Sequence, residues 1–295
     1  MKNTRKMMMA MLMLVAMMGM GACEKAVLDD ENESGDKPET EGNVIIRASL
    51  YDIVPFDTRA VQNIADYCTH LQFVVFQDGN KMKGVNQKKG DADYGQVSMT
   101  LSPATYQLLI VAHSSTSNPT VTDPTKIQFT NQTGYSDTFC YYGDLVVNEG
   151  QNSYDVRLQR ATSMVRLTIT DEIPSNVKTI RLSYEGESGV LNATTCMGGA
   201  TNSKQNITYN VEGYQAPLTL GAYTFMRGEE GTLKMTVTAY DANSNVVVEK
   251  QLNDIPLKYR MVTEYSGSLF SVANTNLSLN LTAETEWQVY KQLTF

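Results

Sequence analysis

The sequence predicts an all-β protein: two tandem antiparallel β-sandwiches that follow an export signal and an acidic tether. Three observations carry that reading. Beyond residue 42, apolar and polar residues alternate with period two in one segment after another. Helical spacing is scarce, and turn-forming residues separate the segments. A chain of 295 residues and 32.7 kDa also fits two domains of about 100–150 residues each.

Residues 1–22 read as a bacterial export signal. Lys2, Arg5 and Lys6 give a basic start, residues 7–18 are an unbroken apolar run, and Gly19, Gly21 and Ala22 supply the small residues before a cut. The run is shorter than the roughly 20 apolar residues that a transmembrane helix needs. Met20-Gly21-Ala22-Cys23 resembles the lipobox of bacterial lipoproteins, with Met where Leu is usual, so Cys23 is the candidate lipidation site. Three acyl chains hold a protein stably, whereas one binds marginally. Residues 23–42 carry eight acids, two bases, one Pro and two Gly without apolar periodicity, which is the composition of a flexible tether. This segment also resembles the acidic surface-export tract of Bacteroidetes lipoproteins.

From there the chain alternates. Val44, Ile46, Ala48 and Leu50 share one face of a first strand. Val97-Met99-Leu101, Tyr106-Leu108-Ile110, Tyr154-Val156-Leu158 and Val165-Leu167-Ile169 repeat the pattern. So do Ile180-Leu182-Tyr184, Leu233-Met235-Val237-Ala239 and Leu277-Leu279-Leu281. Each is expected to bury one face and wet the other. Asp78-Gly79-Asn80, Ser102-Pro103 and Asp241-Ala242-Asn243 mark turns, and residues 60–67 are the one candidate helix. A weak echo between Leu101-Ser-Pro-Ala-Thr-Tyr106 and Leu220-Gly-Ala-Tyr223 suggests an internal repeat. The join is expected near Arg160, giving domains 43–160 and 161–295.

Composition narrows the function. The formal charge is −8, and −11 once the three signal bases are gone, which argues against nucleic acid as a partner and against docking on anionic lipid through a basic surface. No H-E-x-x-H, G-x-S-x-G, Walker loop or G-x-G-x-x-G occurs. His70 and His113 each stand alone, so a structural role is expected for both, and no catalytic, cofactor-binding or metal-binding residue is assigned. The reading is therefore a non-enzyme without cofactors. Beyond Cys23, the cysteines are Cys68, Cys140 and Cys196, an odd number with no C-x-x-C spacing. Cys68 and Cys140 are the candidate disulfide within one domain; the alternative is three buried free thiols.

In combination these features resemble the fimbrillins of Bacteroidetes and their anchoring subunits, the lipoproteins of type V pili. The residues that carry the likeness are Leu71-Gln-Phe-Val-Val-Phe-Gln-Asp-Gly79, the Leu101 to Tyr106 hairpin, and Leu158-Gln-Arg-Ala-Thr-Ser-Met-Val-Arg-Leu167. Ile255-Pro-Leu-Lys-Tyr-Arg-Met-Val-Thr-Glu-Tyr-Ser-Gly-Ser-Leu-Phe270 and Glu286-Trp287 continue it to the end. The resemblance implies transthyretin-like sandwiches, a place in the fimbrium at the outer membrane, adhesion without catalysis, and other fimbrial subunits as partners through strand exchange. It also implies that Arg59 is a candidate protease-processing site, in a loop after the first strand; the bland alternative is an ordinary surface arginine. An anchor or accessory subunit fits the short chain better than a polymerising one. Two segments suit strand addition: the first strand, residues 44–54, and residues 287–295, where Trp287, Val289, Leu293 and Phe295 share a face that Lys291 interrupts. The rival reading is an outer-surface lipoprotein that binds glycans through some of its sixteen tyrosines.

Overall fold

In a computed structural model, residues 42–50, 63–129, 135–199 and 204–271 are described, together with the backbone of 288–294. Alternation has become strand as expected. The early strands are β1 (Val44–Leu50), β2 (His70–Gln77), β3 (Asn80–Lys88), β4 (Gln96–Met99), β5 (Ala104–His113), β6 (Ile127–Gln128), β7 (Thr138–Val147) and β8 (Asn152–Arg160). The later ones are β9 (Thr162–Ile169), β10 (Val177–Glu185), β11 (Val190–Asn192), β12 (Met197–Gly198), β13 (Gln205–Asn210) and β14 (Leu218–Phe225). They continue with β15 (Glu230–Asp241), β16 (Val246–Lys258), β17 (Met261–Gly267) and β18 (Gln288–Thr294). The one helix among the described residues, α1 (Ile64–Tyr67), starts where the Asn63 side chain accepts the Ala65 N–H at 3.0 Å. The sharp turn between β2 and β3 puts Asp78 at φ 51° and Gly79 at φ 77°. Asp-Gly suits such a two-residue hairpin because both positions need positive φ.

One pairing scheme occurs twice. In the first round β1 pairs with β4 and β8, while β2 lies between β3 and β5, and β5 pairs on with β7. In the second, β9 pairs with β14 and β17, β10 lies between β13 and β15, and β15 pairs on with β16. The sequence echo does not align equivalent elements, because Leu101 to Tyr106 leads from β4 into β5 whereas Leu220 to Tyr223 lies inside β14.

Two expectations are corrected. The sheets are mixed, not purely antiparallel: β1 runs parallel to β8, and β17 runs parallel to both β9 and β18. After β1 the chain builds the opposite sheet before returning through β8, and such a crossover brings a strand back in the same direction. Alternation reports which face is buried, not strand direction. Nor does every strand wet one face. Leu71, Phe73, Val75, Leu108 and Ile110 fill the core of the first round, while Val74, Phe76, Leu109 and Val111, on the other face of the same sheet, are also buried. The cover on that second face is Ile127, Phe129, Tyr135, Leu191, Cys196 and Phe225. Near-continuous apolar runs are what a sheet buried on both sides requires.

The second round has its own core, centred on Leu167, Ile180, Leu182, Tyr184, Met235, Val237 and Ile255. The predicted inward residues of β1, β4, β5, β9, β10 and β15 are buried, with Ala48 only partly so. Leu277, Leu279 and Leu281 lie outside the described residues.

Candidate functional site

For a protein expected to join partners through strands, the site is the set of strand edges and the joint between them. β1 is an interior strand. Val44 through Leu50 pair with Asn152 through Leu158 of β8, and Val44 to Arg47 also pair with β4. Asn43 fixes its start, donating to Leu101 O at 2.8 Å and accepting the Leu101 N–H at 2.9 Å. β8 has β1 on one side, but on the other side only two pairs with β7, Phe139 with Arg160 and Cys140 with Gln159. β7 and β8 are consecutive, yet past those pairs each joins a different sheet. The outer edge of β8 from Asn152 to Leu158 therefore carries no strand among the described residues.

In the second round the corresponding edge, that of β17, is occupied by β18, which is the terminal strand of its sheet. The register shifts between Val262 and Thr263, leaving Tyr290 without an opposite residue, so the strict period-two face expected over residues 287–295 is interrupted by a bulge.

At the joint, β8 passes to β9 through Ala161 alone. Arg160 is 3 % exposed and grips Asp137 with two donors: Nε reaches Oδ1 at 3.0 Å and Nη2 reaches Oδ2 at 2.8 Å. Thr162 Oγ1 donates to Asp137 Oδ1 at 2.9 Å, and the guanidinium lies over the Phe139 ring at 4.9 Å. Burial pushes the Asp137 carboxyl up, against the pull of Arg160 and Thr162. A residue expected only to mark a join is thus half of a buried ion pair. Later strands hook onto it: Tyr259 donates to Cys196 O at 2.7 Å, and Arg260 donates to Gln159 Oε1 at 2.7 Å.

The thiol expectation is overturned. Cys140 of β7 is bonded to Cys196, which follows β11, with 6.2 Å between Cα atoms; Cys68 is free and buried. Cys68 follows α1, and burial pushes its thiol well above the ordinary range. Cys140 points to the second face of its sheet, where the cover includes Cys196. Only knowledge that this face is buried by residues 56 positions later could have paired them. Asp137, lying in an irregular stretch, gave no sequence signal, and the stacking of His70 on His113 was equally hidden.

Cys23, Arg59, Trp287 and Phe295 lie outside the described residues. Among the described residues no cluster of three or more His, Cys, Asp or Glu side chains is placed to hold a metal ion. An open cleft near Gly186, Arg227 and Gly231 contains Glu187, which accepts the Arg227 N–H at 2.9 Å and so closes its own loop.

The family model of fimbrillin-A associated anchor proteins Mfa1 and Mfa2 matches residues 37–292. No curated protein matches the chain significantly. Among solved structures, a candidate adhesin from Bacteroides ovatus is similar at 14 % identity and a TM-score of 0.48, over 79 % of this chain and 87 % of the other. The fimbrial anchor protein Mfa2 from Porphyromonas gingivalis is similar at 12 % identity and a TM-score of 0.37, over 72 % and 83 %. The tip fimbrial protein Mfa3 from the same organism gives 13 % identity and a TM-score of 0.34, over 71 % and 80 %.

Proposed function

Since the chain belongs to the family of fimbrillin-A associated anchor proteins, and so has a fimbrial accessory and adhesive role at the cell surface, we propose that it is an outer-membrane lipoprotein held by acyl chains on Cys23 and joined to other fimbrial subunits by β-strand addition. The observation that carries strand addition is the contrast between two equivalent edges. β17 holds an added strand, β18, while β8 from Asn152 to Leu158 has no strand on its outer side among the described residues. An open edge presents unpaired N–H and C=O groups, and an incoming strand satisfies them while its alternate side chains fill pockets. The domains that meet in this reading are 43–160 and 161–295. β1, paired on both sides, stays within its own sheet, as suits an anchor that is not trimmed at Arg59.

Deleting residues 289–295 tests the donor role of β18. The truncated protein is expected to fold and reach the surface but to retain less of its partner subunits there. Outright unfolding would make β18 an integral strand, and undiminished partner retention would remove its role in assembly. A Cys23→Ser variant is expected to accumulate as uncut precursor that takes up no fatty-acid label; normal labelling would end the lipid-anchor reading.

A further inference from the structure

The chain has two histidines, and the fold stacks one on the other. His70 of β2 and His113 of β5 are opposite residues, with ring centroids 5.2 Å apart and planes 3° from parallel. His113 is fully buried, and Phe129 meets its ring edge-on at 5.5 Å. Its Nδ1 accepts the Ser115 backbone N–H at 3.2 Å. A ring nitrogen that accepts carries no proton, so the neutral ring holds its hydrogen on Nε2.

What the Ser115 bond restrains matters more than the bond itself. Residues 114–129 leave β5 here. The Ser114 N–H donates to Ser136 Oγ at 2.8 Å, and Pro119 O accepts from Gln72 Nε2 at 3.4 Å. The segment then forms β6, where Ile127 and Gln128 pair with Leu191 and Val190 of β11. It ends at Phe129, packed on Phe225 of β14 at 5.5 Å. The loop that begins at His113 therefore supplies both backbone and aromatic contacts between the two rounds of strands.

We propose that His113 is an acid-sensitive latch: a proton on Nδ1 expels the Ser115 amide, releases residues 114–129, and loosens the β6–β11 joint. An imidazolium has a donor on each nitrogen, so Nδ1 can no longer accept. The surroundings favour the neutral ring: an interaction with the Asn118 side chain supports the proton, but burial and His70 outweigh it. From β2, His70 stacks on the ring and repels a cation when it is itself charged; Lys88 of β3, opposite His70, adds further positive charge. From β7 the opposite residue is Thr138, and Asp137 beside it is already neutralised by Arg160. Ser115, Asn118 and Phe129 from the loop bring no charge. Burial first, and then His70, hold the His113 pKa down to about 4.

The sign follows from linkage. An open state with an ordinary imidazole takes the proton that the closed state refuses, so closure is complete above about pH 6.5 and is lost as pH falls toward 4. Between pH 7 and 5 the open fraction rises about 20-fold.

Proton NMR on the intact chain tests this directly, because two imidazoles give two C2–H signals and His70→Gln assigns them. The His113 signal is expected to stay neutral to below pH 5. Hydrogen-exchange protection of residues 114–129, corrected for intrinsic rates, is expected to fall about 20-fold from pH 7 to 5 while β15 keeps its protection. His113→Gln is expected to abolish that pH response; if this variant does not fold, the wild-type titration and exchange decide. Titration of His113 near pH 6.5, an equal loss of protection everywhere, or a response that persists in His113→Gln would overturn the latch.

Discussion

Replacing Cys196 by Ala removes the bond to Cys140 and with it a constraint on the unfolded chain. The two residues are 56 positions apart, and closing a loop of that length restricts the denatured ensemble by about 4 kcal/mol at 25 °C in the chain-entropy account. For a body of this size each kcal/mol shifts the melting temperature by about 2–4 °C, so a drop of about 8–16 °C is expected. Both cysteines are buried, at 1 % and 8 % exposure, so a small packing loss adds to this. Cys68→Ala is the control: it also loses a buried sulfur but breaks no cross-link, and about 1 kcal/mol is expected. Thermal melts of wild type, Cys196→Ala and Cys68→Ala, each with and without reductant, separate the two effects. Reductant should bring wild type down to the Cys196→Ala curve and leave that variant unchanged. Equal losses in the two variants, or non-reducing peptide mapping that joins Cys68 to Cys140, would refute the pairing.

Two other perturbations probe the charges. Arg160→Met leaves Asp137 buried without its counter-charge and is expected to cost about 3–5 kcal/mol in urea unfolding, with much of the loss recovered when Asp137→Leu is added; a cost below about 1 kcal/mol would remove the pair from the joint. Asp171 accepts the Leu269, Phe270 and Ser271 amides at 2.7–2.9 Å; partial burial opposes them, but the amides win and hold its carboxyl below the usual range. Its contribution is full above the ordinary carboxylate pKa and is lost as pH falls through the lowered one, so Asp171→Ala should flatten the acid limb of the stability curve below about pH 4 and speed amide exchange at 269–271.

Alternation made the strands legible because a pleated chain buries every second residue, and Val165, Leu167 and Ile169 are buried as that rule requires. Turn chemistry was legible too, since Asp78-Gly79 leaves the backbone few alternatives. Strand direction was not: β1 beside β8 reads the same in either direction. The second buried face of β2 and β5 was written in Phe73-Val74-Val75-Phe76 and Leu108-Leu109-Ile110-Val111, where alternation gives way to unbroken apolar residues. Which residues cover it depends on contacts far along the chain, and no local rule supplies those. The disulfide failed for the same reason, as Cys68 and Cys140 fall within one expected domain but pack in different cores.

That second face also decides what kind of body the repeated strands make. Two sandwiches on a flexible linker would keep the outer face of β2, β5 and β7 polar. Here it is apolar, and the Cys140–Cys196 bond, the Arg160–Asp137 pair, the Tyr259 and Arg260 hydrogen bonds and the Phe129–Phe225 contact all fall at the joint. The disulfide, the Arg260–Gln159 and Thr162–Asp137 hydrogen bonds and the Phe129–Phe225 contact couple one round to the other, so movement between the rounds must break several of them together. Among the described residues, the backbone edges on β8 from Asn152 to Leu158 and on the outer side of β18 carry no strand and lie away from these contacts. A subunit that adds strands at its edges gains from a stiff joint, because a bound strand then holds both rounds of strands and not one alone.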